Sequence, residues 1–185
     1  MKIISSSLSM LEALNTMIIR IGRSVAWVLV AAMVATILLQ VFCRYALNSA
    51  LPWPEEVARA LMIWMMALVA GNAYRNGSFV AIDLLHHYLP KKATALLKMV
   101  LLALAAIVLV KLFLLGIEFF QRGFRTRAAS FDLPRAWIYL AMPVCFGTML
   151  LINVELLLRE VGRLFGREED FVLPKDDTDA AIEAE

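Results

Sequence analysis

Glu55 with Glu56, and the pair His86-His87 shortly after Asp83, are the side chains here whose types suit proton transfer or metal ligation. Carboxylates serve acid–base chemistry when they converge on one bond. Histidines hold metals when they repeat a turn apart, at i and i+4. Neither condition is met. Neighbours on a helix project about 100° apart, so Glu55 diverges from Glu56 and His86 from His87, and no nucleophile accompanies either pair. Arg59 stands four residues past Glu55 and three past Glu56, the spacing of a local ion pair. Phe79, Ile82, Leu85/His86 and Leu89 follow a helical period that stops at Pro90, which suits a short interfacial helix with its histidines near lipid headgroups. Cys43 and Cys145 have no metal-knuckle or disulfide spacing and read as small apolar residues in helix contacts. No enzyme, metal site or cofactor site is expected, and nothing points to nucleic acid.

The elements that carry these residues are membrane helices. The chain is 62% hydrophobic and 18% charged, with a mean hydropathy of +0.76. Soluble domains are about 45–50% apolar and about 25% charged. The excess lies in four runs: residues 24–43, 60–71, 99–116 (broken only by Lys111) and 136–153. A hydrocarbon core of ~30 Å takes about 20 helical residues. The second run is short, but Pro54 suits a first helical position and Glu55 and Glu56 suit a first turn, so a helix over 54–75 follows. Trp53 and Tyr74 then stand at its two ends as interfacial aromatics. The expected fold is all-α and integral to the membrane: four transmembrane helices, approximately 24–43, 54–75, 94–116 and 134–158, with short amphipathic interfacial helices.

Flanking segments differ in character. Residues 1–23 carry an amphipathic pattern that runs on to Val25: Leu11, Leu14, Ile18, Ile21 and Val25 with Glu12, Asn15, Arg20 and Arg23 between them. This segment is either an interfacial helix or the first turns of one long helix. The apolar run after it is too long for a signal-peptide core and lacks a small-x-small cleavage site. Residues 166–185 carry eight acidic residues against Arg167 and Lys175, which reads as a disordered cytoplasmic tail. With the N-terminus inside, nine Lys and Arg flank the inner helix ends and six the outer ones. The positive-inside rule thus puts both termini in the cytoplasm. Lys98 and Lys111 are near enough to helix ends for their stems to snorkel. Glu155 sits near the inner end of the fourth helix, and no acidic residue stands mid-membrane with a partner, as an ion pathway requires.

Arg44-Tyr45-x-x-Asn48, then Leu51-Pro52-Trp53-x-Glu55-Glu56, an aromatic-rich helix reaching Gly71, Arg75-x-Gly77, and Asp83 before Leu89-Pro90 form one pattern. Leu133-Pro134-x-x-Trp137, with Pro143 inside the last helix, continues it. This pattern resembles the small membrane subunit of tripartite ATP-independent periplasmic (TRAP) transporters, the DctQ-like family, over roughly residues 11–165. Phe79 departs from it, standing where many members carry a histidine. The resemblance implies a scaffold in the bacterial inner membrane. It would anchor a large elevator-type permease subunit during ion-coupled, sodium-driven uptake of an organic acid brought by a periplasmic binding protein. It also implies that Arg44, Tyr45, Asn48, Trp53, Glu55, Glu56, Arg59, Gly71, Arg75, Gly77, Asp83, Pro134, Trp137 and Pro143 act in the subunit's own fold or at the interface. Gly71, with Ala67 and Ala70, offers a small-residue face, Arg75 and Gly77 close the second helix, and Pro143 kinks the fourth. Arg122, Arg125 and Arg127 form a positive outer loop suited to docking the binding protein. The rival readings are an autonomous small transporter or channel acting as a homo-oligomer and, behind it, a membrane enzyme.

Overall fold

The computed structural model describes residues 2–49, 51–77, 91–127, 130 and 134–165. Phe79, Asp83, His86, His87 and the acidic stretch 166–185 lie outside them. The helices are α1 (Lys2–Tyr45), α2 (Trp53–Gly77), α3 (Lys91–Gly123), the short α4 (Ala136–Tyr139) and α5 (Ala141–Phe165). Among the described residues four stretches are long and apolar enough to cross a bilayer: Leu8–Tyr45, Trp53–Asn76, Ala93–Gly123 and Ala136–Gly162. The last combines α4 and α5. We call the end bearing the start of α1 and the end of α5 proximal, and the end bearing the α1–α2 and α3–α4 connections distal.

α1 is one unbroken helix of 44 residues, about 66 Å long at 1.5 Å per residue. Residues 2–23 are therefore its first half, not a separate interfacial piece. The side of it that meets the bundle is not the apolar stripe read from the sequence. Leu8, Asn15, Ile19, Gly22, Ala26 and Cys43 are buried, whereas Leu14, Ile21 and Val25 face outward. From Asn15 the inward positions run through Ile19, Gly22, Ala26, Leu29, Met33, Thr36 and Gln40 to Cys43, every step three or four residues. That spacing suits helices crossing at a shallow angle. The inversion has a simple cause. Lipid tails are as apolar as leucine, so large apolar side chains have little drive to turn inward, and small or polar residues such as Asn15, Gly22, Ala26 and Thr36 share the helix contacts with Ile19, Leu29 and Met33. Gly22 shows how close they are: a Cβ there would sit 3.0 Å from the Leu68 carbonyl oxygen of α2.

α5 is the central helix and touches α1, α2 and α3. It runs parallel to α2, so Gly71, Tyr74 and Arg75 meet Ile152, Asn153 and Glu155 in order. α3 packs antiparallel to α5, Gly116 lying against Pro143. Pro143 has no N–H to offer the Tyr139 carbonyl, and the helix is interrupted just there, at Leu140, between α4 and α5.

Candidate functional site

The distal end is tied by a carboxylate. Glu56 Oε2 accepts the Ser130 backbone N–H at 3.0 Å, Glu56 Oε1 lies 3.9 Å from Arg135 Nη2, and Ser130 Oγ donates to the Pro52 carbonyl at 3.3 Å. The start of α2 thereby holds the α3–α4 connection. Glu55 does something else: it pairs with Arg59 at 2.9 Å, one turn on, and both are solvent-exposed. The two acids diverge as their adjacency requires. Pro54 is fully buried beneath them. Trp64 Nε1–H donates to the Trp137 carbonyl at 3.1 Å while the Trp137 side chain stays exposed. Arg44, Tyr45 and Asn48 are exposed at the end of α1. Asn48 has φ 52°, the left-handed region that asparagine tolerates better than most residues. Arg122 pairs loosely with Glu118 at 3.6 Å, and Arg125 and Arg127 are exposed beyond it. Arg127 forms an isolated antiparallel bridge with Pro134.

The proximal end holds a cluster that the sequence reading missed. Glu155, fully buried on α5, accepts hydrogen bonds from three helices. Asn15 Nδ2 of α1 donates at 2.7 Å, Arg75 Nη2 of α2 at 2.9 Å, and Arg159 of its own helix through Nε at 3.1 Å and Nη2 at 2.9 Å. Arg159 Nη2 also reaches Glu12 Oε2 at 3.0 Å, and Arg75 Nη1 donates to Thr16 Oγ1 at 3.2 Å. Beside it, Asn153 donates to the Tyr74 hydroxyl at 2.6 Å. Arg75 thus does not simply close α2; its head is folded into the bundle. Tyr74 is half-buried with its hydroxyl turned to Asn153, and Lys98 is buried instead of snorkelling. Gly71 lies beneath this cluster, where a Cβ would be 3.1 Å from Ile152 Cδ1 and 3.4 Å from Thr148 Oγ1; its small-residue face is used inside the subunit.

The cluster's chemistry is pairing. Two carboxylates, Glu12 and Glu155, face two guanidiniums, Arg75 and Arg159, and the Glu155 oxygens are spent on donors. Arg75 Nε and Asn153 Oδ1 are buried without a hydrogen-bond partner. Sequence did carry a signal for this site. Glu155 and Arg159 share the α5 stripe of Ile152 and Leu156, so charge interrupts an otherwise apolar face. Among the described residues no group of three His, Cys, Asp or Glu side chains could hold a metal.

Fold and site together define a multi-pass helical membrane protein whose fully buried Glu155 is joined to Arg75 and Arg159, while Arg44, Glu55, Glu56 and Arg59 stand at helix ends. The chain belongs to the DctQ component family of the tripartite ATP-independent periplasmic transporters, whose family model matches residues 33–163. It is a small permease subunit of such a transporter. A curated relative, the sialic acid TRAP transporter small permease protein SiaQ of Vibrio cholerae serotype O1 (strain ATCC 39315 / El Tor Inaba N16961), is 26% identical over 156 residues, covering 84% of this chain and 90% of that protein.

Proposed function

We propose that this subunit is a fixed scaffold in the bacterial inner membrane, with both termini cytoplasmic and the distal end periplasmic. It holds a large elevator-type permease subunit while that partner performs sodium-coupled uptake of an organic acid delivered by a periplasmic binding protein. The observation that carries this reading is the proximal cluster. Its buried carboxylate is consumed by Arg75, Arg159 and Asn15, leaving it no free coordination for a moving cation, whereas carriers keep such groups open along a pathway. The subunit is not an enzyme in this reading. The relative's sialic acid, a carboxylate, supports the substrate class.

Matched residues divide by exposure. Glu56, Gly71 and Arg75 are engaged within the subunit. Arg44, Tyr45, Asn48, Trp53, Glu55, Arg59 and Trp137 are exposed and are available to the large subunit. Reconstitution tests the proposal. Vesicles holding this chain alone should show no uptake. Adding the large permease encoded beside it, with its binding protein and a sodium gradient, should restore transport, and the two membrane subunits should co-purify. Uptake by the lone chain, or failure to co-purify, would end the scaffold reading.

A further inference from the structure

Glu118, Gln121, Arg122 and Arg125 line an open groove of about 300 Å³ where α3 ends. We infer that this groove binds the headgroup of a phospholipid bearing a primary amine, with its phosphate on Arg122 and Arg125 and its ammonium on Glu118. The inference needs only that α3 spans the membrane and is independent of any transport role; in the topology proposed above the lipid belongs to the outer leaflet.

Depth supports it first. After Lys111 the next charge along α3 is Glu118, followed by Arg122 and Arg125. The groove therefore lies where hydrocarbon gives way to headgroups. Aromatic residues gather at the same level. Phe119 meets Tyr139 edge-on with ring centroids 5.5 Å apart, Phe120 meets Phe124 at 5.1 Å, and Phe119, Phe124 and Trp137 are exposed. Such a girdle suits the glycerol and upper acyl region of a lipid. Chemistry supports it next. Guanidinium forks match phosphate oxygens, while a carboxylate suits an ammonium.

The present Arg122–Glu118 contact, at 3.6 Å between exposed groups, is weak. A zwitterion inserted between them gives each a better partner. An acidic protein surface fits less well, because Glu118 would repel it from within the same groove and the exposed aromatics favour an apolar neighbour.

Native mass spectrometry of the full chain tests this, with lipid retention measured for phosphatidylethanolamine, phosphatidylcholine and phosphatidylglycerol. The four lining side chains are exposed, so substitutions there spare the fold. Wild type should retain phosphatidylethanolamine over the other two. Arg122→Ala with Arg125→Ala should lower that retention by about tenfold, while Arg59→Ala, outside the groove, should leave it unchanged. Glu118→Gln should keep phosphate binding but abolish the preference for the amine lipid over phosphatidylglycerol. Unchanged retention in the double variant overturns the site. So does equal binding of all three lipids by wild type. A double variant that keeps its lipid but loses affinity for the periplasmic binding protein would make the groove a protein-docking surface instead.

Discussion

Replacing Glu155 with alanine is the sharpest test of how the bundle is held. The carboxylate is 0% exposed and accepts from Asn15, from Arg75 and twice from Arg159. Without it, Arg159 keeps Glu12 and, among the described residues, Arg75 keeps Thr16. Two guanidiniums then remain in a site built around an anion. Removing one partner of a buried ion pair costs about 3–5 kcal/mol, a large part of a typical domain's 5–15 kcal/mol. The whole group behaves differently: Glu155→Leu combined with Arg75→Leu and Arg159→Leu removes both signs together. That change should cost clearly less than the single one, since apolar replacement of buried ion clusters is often tolerated; Asn15 keeps the Leu151 carbonyl at 3.4 Å, and Glu12, partly exposed, stays hydrated. Thermal unfolding of detergent-purified protein, followed by size-exclusion fluorescence, reads both variants. A single variant within about 1 kcal/mol of wild type, or a triple variant as damaged as the single one, would refute the reasoning.

Glu56→Ala should release the connection between α3 and α4, because the Ser130 N–H loses its acceptor. The cost is about 1 kcal/mol for this half-buried bond, and limited proteolysis near Ser130 should quicken while Glu55→Ala leaves it unchanged. At Gly71 the nearest neighbour is the movable end of Ile152, so Gly71→Ala should be mild, whereas Gly71→Leu should overpack by about 1–3 kcal/mol, read as a lowered Tm. Trp64→Phe removes the bond to the Trp137 carbonyl and should cost about 1 kcal/mol with the fold intact by circular dichroism. For topology, Asn48→Cys in a chain lacking Cys43 and Cys145 should react with a membrane-impermeant thiol reagent in intact cells; protection until lysis would reverse the proposed orientation.

How many helices cross the membrane was legible in the sequence, because bilayer thickness converts directly into a length of apolar residues. So were the start of α2 at Trp53-Pro54, the i to i+4 pairing of Glu55 with Arg59, and the break before Pro143, all of them local. The family pattern was legible for the same reason: it lies in short blocks at helix ends. Which face of each helix turns inward was not. Leu14 and Ile21 look like a core stripe by the rule for soluble proteins, yet Asn15, Gly22 and Ala26 face the bundle, since lipid removes the drive that would bury leucine.

Asn15, Arg75 and Glu155 are separated by up to 140 positions in the chain, and nothing in their local spacing names them as partners. Only the packing of α1, α2 and α5 assembles them, and it does so because a charge withdrawn from water must find its opposite wherever the fold brings one. Sequence by itself thus determined the membrane class, the number of spans and the helix-end motifs, all matters of length and local order. Tertiary structure alone decided which charges are joined inside and which remain free to meet a partner, because that depends on contacts between distant segments.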